Sequence, residues 1–130
     1  MQHEYARRYG GEGDVAPIDA AELRAPLGRF VMLYVDGVPA AMGGWRRRGT
    51  DAEIKRMYVR PAYQRLGLAR AVLAHLEHSA SDAGAARIIL ETGEAQPEAI
   101  ALYRSSGYTD IEPFGFYADS EVSVHLGKRL

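Results

Sequence analysis

Met57-Tyr58-Val59-Arg60-Pro61, followed two residues later by Gln64-Arg65-Leu66-Gly67-Leu68-Ala69-Arg70, is the stretch on which the reading of this chain turns. Its first part closes a strand. Ala52 to Val59 sets apolar Ile54, Met57 and Val59 among Glu53, Lys55 and Arg56, and Pro61 ends the run. The apolar pattern slips phase between Ile54 and Met57, which predicts a β-bulge. From Leu66 the period becomes helical, with Ala69, Val72, Leu73, Leu76, Ala80 and Ala83 on one stripe and Gly84 as the stop. A helix N-terminus presents unpaired N–H groups and the positive end of the macrodipole, so a strand–glycine–helix junction is a candidate anion site. Gly67 leaves a phosphate room to approach, Ala69 adds little bulk, and Arg65 and Arg70 place positive charge at the rim. A plain strand-to-helix turn needs the same single glycine, so these residues alone leave both readings open. Two other phosphate loops are excluded: no lysine–hydroxyl pair follows a second glycine, and the dinucleotide fingerprint needs more glycines than this segment has.

On the N-terminal side, Phe30 to Val35 and Val38 to Trp45 read as strands joined by an Asp36-Gly37 hairpin turn. Gly43-Gly44 marks a bulge or a close backbone approach within the second. Asp19-Ala20-Ala21-Glu22 has the form of a capping box for a short helix that Pro26 and Gly28 end, and Glu4 to Arg8 reads as the end of another. On the C-terminal side come a short buried strand at Arg87 to Leu90 and a helix opened by Pro97 and closed by Gly107. Ile100 and Tyr103 share one face of that helix, and final strands follow at Tyr108 to Ile111 and Val122 to Leu126. This order predicts an α/β (α+β) fold in which helices cover a mixed, largely antiparallel central sheet.

A length of 130 residues predicts one domain over 1–130. With 47% apolar and 25% charged residues, the composition is that of an ordinary globular chain. No run of eighteen apolar residues is present and Met1 to Gly13 lacks the apolar core of a secretory signal, so no membrane association is expected. The absence of cysteine excludes disulfides, thiolate nucleophiles and zinc–thiolate sites, and makes a cytoplasmic location the expectation. A net charge of −1 argues against a general nucleic-acid binder. Arg46-Arg47-Arg48 reads as a solvated face or as a patch for an acidic partner. Lys55, Arg56, Arg60, Arg65 and Arg70 instead surround the candidate anion site. His75 and His78 lie three apart with no evident third ligand, so no metal is expected; His125 reads as a strand residue and His3 as a terminal one.

Gln64-Arg65-Leu66-Gly67-Leu68-Ala69 resembles the Q/R-x-x-G-x-G/A motif of the GNAT acetyltransferases, and Met57 to Pro61 looks like the family's fourth strand. Ala99-Ile100-Ala101-Leu102-Tyr103-Arg104-Ser105-Ser106-Gly107-Tyr108 is similar to the A-I-x-L-Y-x-x-x-G-F/Y block of the same family. The blocks stand in the family's order and spacing from about Ala52 to Tyr108, whereas Phe30 to Trp45 and the C-terminus match in strand pattern only. The resemblance implies an N-acetyltransferase that moves the acetyl group of its cosubstrate acetyl-CoA to a primary amine of a small molecule or protein by direct attack. Backbone amides of Gln64, Arg65, Leu66, Gly67, Leu68, Ala69 and Arg70 would hold the pyrophosphate. The backbone of Met57, Tyr58 and Val59 would pair with the pantetheine arm, with the Val59 amide polarising the thioester carbonyl. The arm would lie where two parallel strands, Ala52 to Val59 and Arg87 to Thr92, splay apart. Two positions depart from the family. No strand precedes the first helix, so the sheet is expected to lack the family's first strand, and an uncovered edge makes a homodimer an expectation. Gln96 stands where the family commonly has asparagine.

Acetyl transfer to an amine needs two proton movements, because the acceptor arrives as ammonium and the departing thiolate should gain a proton. Tyr103 resembles the family tyrosine that donates to the sulfur; outside that motif it would read as a core aromatic. Glu53, six residues before Val59, matches the base of GNAT histone acetyltransferases, and would otherwise be an exposed strand carboxylate paired with an arginine. Glu91, at the end of the short strand, is the second choice of base. Trp45, Phe114, Phe116 and Tyr117 line the acceptor pocket or close the core, and Asp119 and Glu121 would suit a cationic acceptor. Two other functions fit the same residues: a coenzyme A-binding module without catalysis, and a small interaction domain that uses Arg46 to Arg48.

Overall fold

Two glycine-assisted reversals and two register shifts, one at Leu33/Tyr34 and one at Met42/Gly44, shape the first half of the chain. The computed structural model describes residues 20–130. The helix expected at Glu4 to Arg8, Asp19 of the capping box and the question of a strand ahead of the first helix lie outside the described residues. A 3-10 turn at Ala20–Leu23 leads into β1 (Gly28–Val35), β2 (Val38–Arg48) and β3 (Asp51–Val59). A second 3-10 turn, Pro61–Tyr63, precedes α1 (Leu68–Asp82), β4 (Arg87–Gly93), α2 (Pro97–Ser105), β5 (Thr109–Asp110) and β6 (Ser123–Arg129). The sheet runs β1-β2-β3-β4-β6-β5, antiparallel throughout except for the parallel β3–β4 pair.

The β1–β2 hairpin turns on Asp36 and Gly37, both at positive φ (50° and 79°), the conformation that an Asp-Gly pair adopts at low cost. Between β2 and β3 the ladder jumps from Met42↔Tyr58 to Gly44↔Lys55, so Gly43 stands opposite the pair Arg56 and Met57. Arg56 takes the left-handed φ of 63°. This is the bulge that the phase slip predicted. Before it, Ala52 and Ile54 face the helices while Glu53 and Lys55 face away; after it, Met57 and Val59 return to the helix face. Gly43 is small for a reason of its own, since a Cβ there would sit 2.4 Å from Met57 Sδ and 2.9 Å from Val72 Cγ1.

Both helices contribute to one buried cluster. Val72, Leu73, Leu76 and Ala80 of α1 and Tyr103 of α2 meet Ala41, Trp45, Ala52, Ile54, Ile88, Leu90 and Leu126 of the sheet. Trp45 belongs to this core, where its Nε1 donates to Ser79 Oγ at 3.1 Å. α1 starts at Leu68 rather than Leu66, and Ala83, at the end of the expected stripe, is exposed. The strand expected at Tyr108 to Ile111 shortens to two residues because Tyr108 turns inward: it is buried, and its phenol donates to Glu77 Oε2 on α1 at 2.8 Å. No helix among the described residues is long and apolar enough to cross a membrane.

Candidate active site

The parallel pair β3–β4 is registered at Ala52↔Ile88 and Glu53↔Ile89, and the ladder is not carried beyond those two pairs. β3 continues to Val59 and β4 to Gly93, so the two strands part toward their C-terminal ends. The expected splay is therefore present. α1 begins just past the end of β3, which brings its N-terminus to the open end of the gap. Gly67 caps the helix at φ 80° and no side chain caps it, leaving its first N–H groups to solvent or a ligand. Arg65 also holds a left-handed φ of 65°, and the Gln64 amide reaches back to the Val59 carbonyl at 3.4 Å. Arg70 leans across to α2, donating to Ser105 Oγ at 2.9 Å and Ser106 Oγ at 3.0 Å. Leu66 is exposed, and Leu68 and Ala69 are half-buried.

The face of the sheet turned away from α1 and α2 carries a cleft. Arg46, Glu53, Lys55 and Glu91 form its floor, and Phe114, Phe116 and Tyr117 its wall. Glu53 is not the exposed carboxylate one might read from the strand: it is 4% exposed. Its Oε1 accepts from Arg46 Nε at 3.2 Å and lies 3.5 Å from Arg48 Nη1, while Lys55 Nζ is 3.3 Å from Oε2. Arg46 also donates through Nη1 to Glu22 at 3.0 Å. Alternation along β2 separates the arginine cluster. Arg46 and Arg48 lie on the cleft side, whereas Arg47 bonds the Ala83 carbonyl at the end of α1 at 2.6 Å.

The Glu91 side chain is half-buried and makes no hydrogen bond or ion pair among the described residues. It stands directly opposite His125 in the β4–β6 ladder. His125 is buried, its Nδ1 faces the Phe114 N–H at 3.5 Å, and its Nε2 has no hydrogen-bond partner among the described residues. The Phe114 ring meets the imidazole edge-on at 5.1 Å and carries Arg48 over its other side at 5.5 Å. Tyr103 lies on the opposite, helix-covered side, 6% exposed, its ring 5.7 Å from Tyr108 in an edge contact.

Glu53 and Glu91 thus share the cleft, while Tyr103 sits in the core beneath α2. Trp45 is removed from the cleft, and Asp119 and Glu121 are exposed and do not line it. Lys55, expected among the cations around the anion site, lies instead against Glu53 in the cleft; Arg46, read only within the arginine cluster, and His125, read as a strand residue, stand beside it. Lys55 was legible, two residues from Glu53 on one strand face. Arg46 needed the β2–β3 register, and His125 needed the β4–β6 pairing. His75 and His78 are both exposed on α1, and no cluster of metal-binding side chains occurs among the described residues.

A family model described as the Acetyltransferase (GNAT) family matches residues 1–108. The IAA acetyltransferase of Azospirillum brasilense is 33% identical over 126 residues, covering 91% of this chain and 82% of the relative. The crystal structure of a proposed acyl-CoA N-acyltransferase from Klebsiella pneumoniae superposes with a TM-score of 0.80 at 29% identity, over 87% of this chain and 79% of the other. The ribosomal-protein-S18-alanine N-acetyltransferase of Escherichia coli does so with a TM-score of 0.69 at 26% identity, over 84% and 73%.

Proposed function

Because the chain belongs to the acetyltransferase (GNAT) family, and is an acyltransferase of that family, we propose that it moves the acetyl group of acetyl-CoA onto a primary amine by direct attack. One observation carries the placement. β3 and β4 part after two registered pairs, and the uncapped N-terminus of α1 stands at the mouth of the gap. An extended pantetheine arm fits a parted ladder, where the backbone of Met57, Tyr58 and Val59 can pair with it. A pyrophosphate fits the Gln64–Arg70 amides at a helix N-terminus.

Of the two carboxylates we assign the base role to Glu91. Both oxygens of Glu53 face cations, whereas the Glu91 side chain has no partner among the described residues. The proton balance then closes. The ammonium gives one proton to Glu91, directly or through water, and the free amine attacks the thioester carbonyl. The tetrahedral adduct collapses with cleavage of the C–S bond, and Tyr103 protonates the leaving sulfur. The second proton lost from nitrogen restores the phenol. Glu53 organises the floor by holding Arg46, Arg48 and Lys55 together. The relatives' names point to different acceptors, IAA in one and an alanine of a ribosomal protein in another, so they do not fix the amine.

Calorimetry with acetyl-CoA followed by thiol release across a panel of amines tests this reading. Binding and release are expected. No binding at millimolar ligand overturns it, and binding without release by any amine leaves a coenzyme A-binding module.

A further inference from the structure

We infer that the acceptor is an α-amino acid with an apolar or aromatic side chain, bound as a zwitterion; this rests on the proposed acetyl transfer in the same cleft. The floor residues Arg46, Lys55 and Glu53 belong to an ion-pair network that extends to Arg48 and Glu22, three cations against two carboxylates. Among these five described residues one positive charge is in excess. Glu91, the sixth charged group of the site, is half-buried and unpaired among the described residues. Among the described residues the cleft therefore meets a cation network with one positive charge in excess and, apart from it, one carboxylate without a partner, both partly removed from water.

A simple amine answers only half of this. Its ammonium pairs with Glu91 and leaves the excess cation uncompensated in a partly dry site, which costs free energy. A diamine would set a second positive charge against the cations. An α-amino acid compensates both: the ammonium at Glu91, where it is deprotonated, and the carboxylate at Lys55 and Arg46. Lys55 serves best here, because its side chain is only 14% exposed and an ammonium has three donors, of which Glu53 engages one.

The wall supplies the third contact. Phe116 is 64% exposed although it flanks a cleft, and Tyr117 braces it edge-on at 5.1 Å. Phe114 is held between Arg48 and His125. An exposed aromatic ring beside a charged floor is suited to cover an apolar substrate side chain, which hides the ring and deepens the burial of the ion pairs.

The test compares kcat/KM for thiol release with L-phenylalanine, L-leucine, phenethylamine and putrescine, after acetyl-CoA binding has been measured separately. L-phenylalanine is expected to exceed phenethylamine by about tenfold or more, the scale of a lost charged contact. Lys55→Met should reduce that preference about tenfold and Lys55→Arg should retain most of it, both with acetyl-CoA affinity intact as the sign of a folded protein. Phenethylamine or putrescine equalling the amino acids, no release with either amino acid, or a preference unmoved by Lys55→Met overturns the inference. If amines other than amino acids are acetylated, the proposed function stands without it. If acetyl-CoA does not bind, both fall.

Discussion

Glu53 and Glu91 share one cleft, yet their substitution should be read by different instruments. Glu53→Gln removes the charge that holds three cations together in a buried site, so its denaturation midpoint should fall by about 1–3 kcal/mol of stability. Glu91→Gln removes a carboxylate that has no partner among the described residues, and its midpoint should stay near that of the parent. Turnover should behave the other way, with Glu91→Gln lowering kcat at least about a hundredfold, the scale of a lost general base. Equal turnover in parent and Glu91→Gln would remove the base assignment. Tyr103→Phe keeps the ring that packs on Tyr108 and loses only the hydroxyl. It should lower kcat by a similar factor of about a hundred while acetyl-CoA affinity, read by calorimetry, changes little. At this scale, the types of the candidate residues were readable from motif and spacing. Their surroundings were not, because the partners of Glu53 come from two strands and the Glu91 side chain has none among the described residues.

At the scale of elements, the junction between β3 and α1 carries the strongest local constraint. Gly67 holds φ 80° with open space around it, so a side chain would be opposed by backbone strain rather than by crowding. Gly67→Ala should cost about 1 kcal/mol and weaken acetyl-CoA binding, since the amides it orients are the proposed pyrophosphate ligands. Gly43→Ala meets the opposite obstacle. Its Cβ would press on Met57 and Val72 across the bulge, so about 1–3 kcal/mol of overpacking should appear in a denaturant midpoint. The bulge itself was legible because Ile54 and Met57 fall out of phase. The opposed Gly43 was legible only as a close approach of unstated partner. Which atoms come close depends on α1 lying over β2, a packing decision made far along the chain.

Over the whole molecule, α1 is tied to the C-terminal strand by one polar cluster. Tyr108 donates to Glu77 Oε2, Lys128 Nζ stands 3.2 Å from Glu77 Oε1, and Lys128 lies 5.8 Å from the Tyr108 ring centre. Burial, reinforced by the hydrogen bond to Glu77, pushes the Tyr108 phenol well above the ordinary tyrosine range. The folded state therefore keeps a proton that the unfolded chain releases near pH 10, so this stability is present below about pH 10 and is lost as pH rises. Between about pH 10 and pH 11 the loss should approach about 1 kcal/mol, and thermal melts of Tyr108→Phe should show a correspondingly shallower alkaline decline. Equal slopes would mean that the phenol titrates normally. What the amino-acid order determined by itself was local: the Asp36-Gly37 reversal, the phase slip, the glycine-started helix and the motif blocks on either side of it, all set by conformations and periodicities that need no distant partner. What only the tertiary structure decided was non-local. The register of β2 on β3 buried Glu53 among cations, β6 set His125 against Glu91, and the cleft gained its aromatic wall from a loop over twenty residues downstream. The glycine-started helix, by its own residues either an anion site or a plain turn, faces a gap in the sheet only because β3 and β4 part.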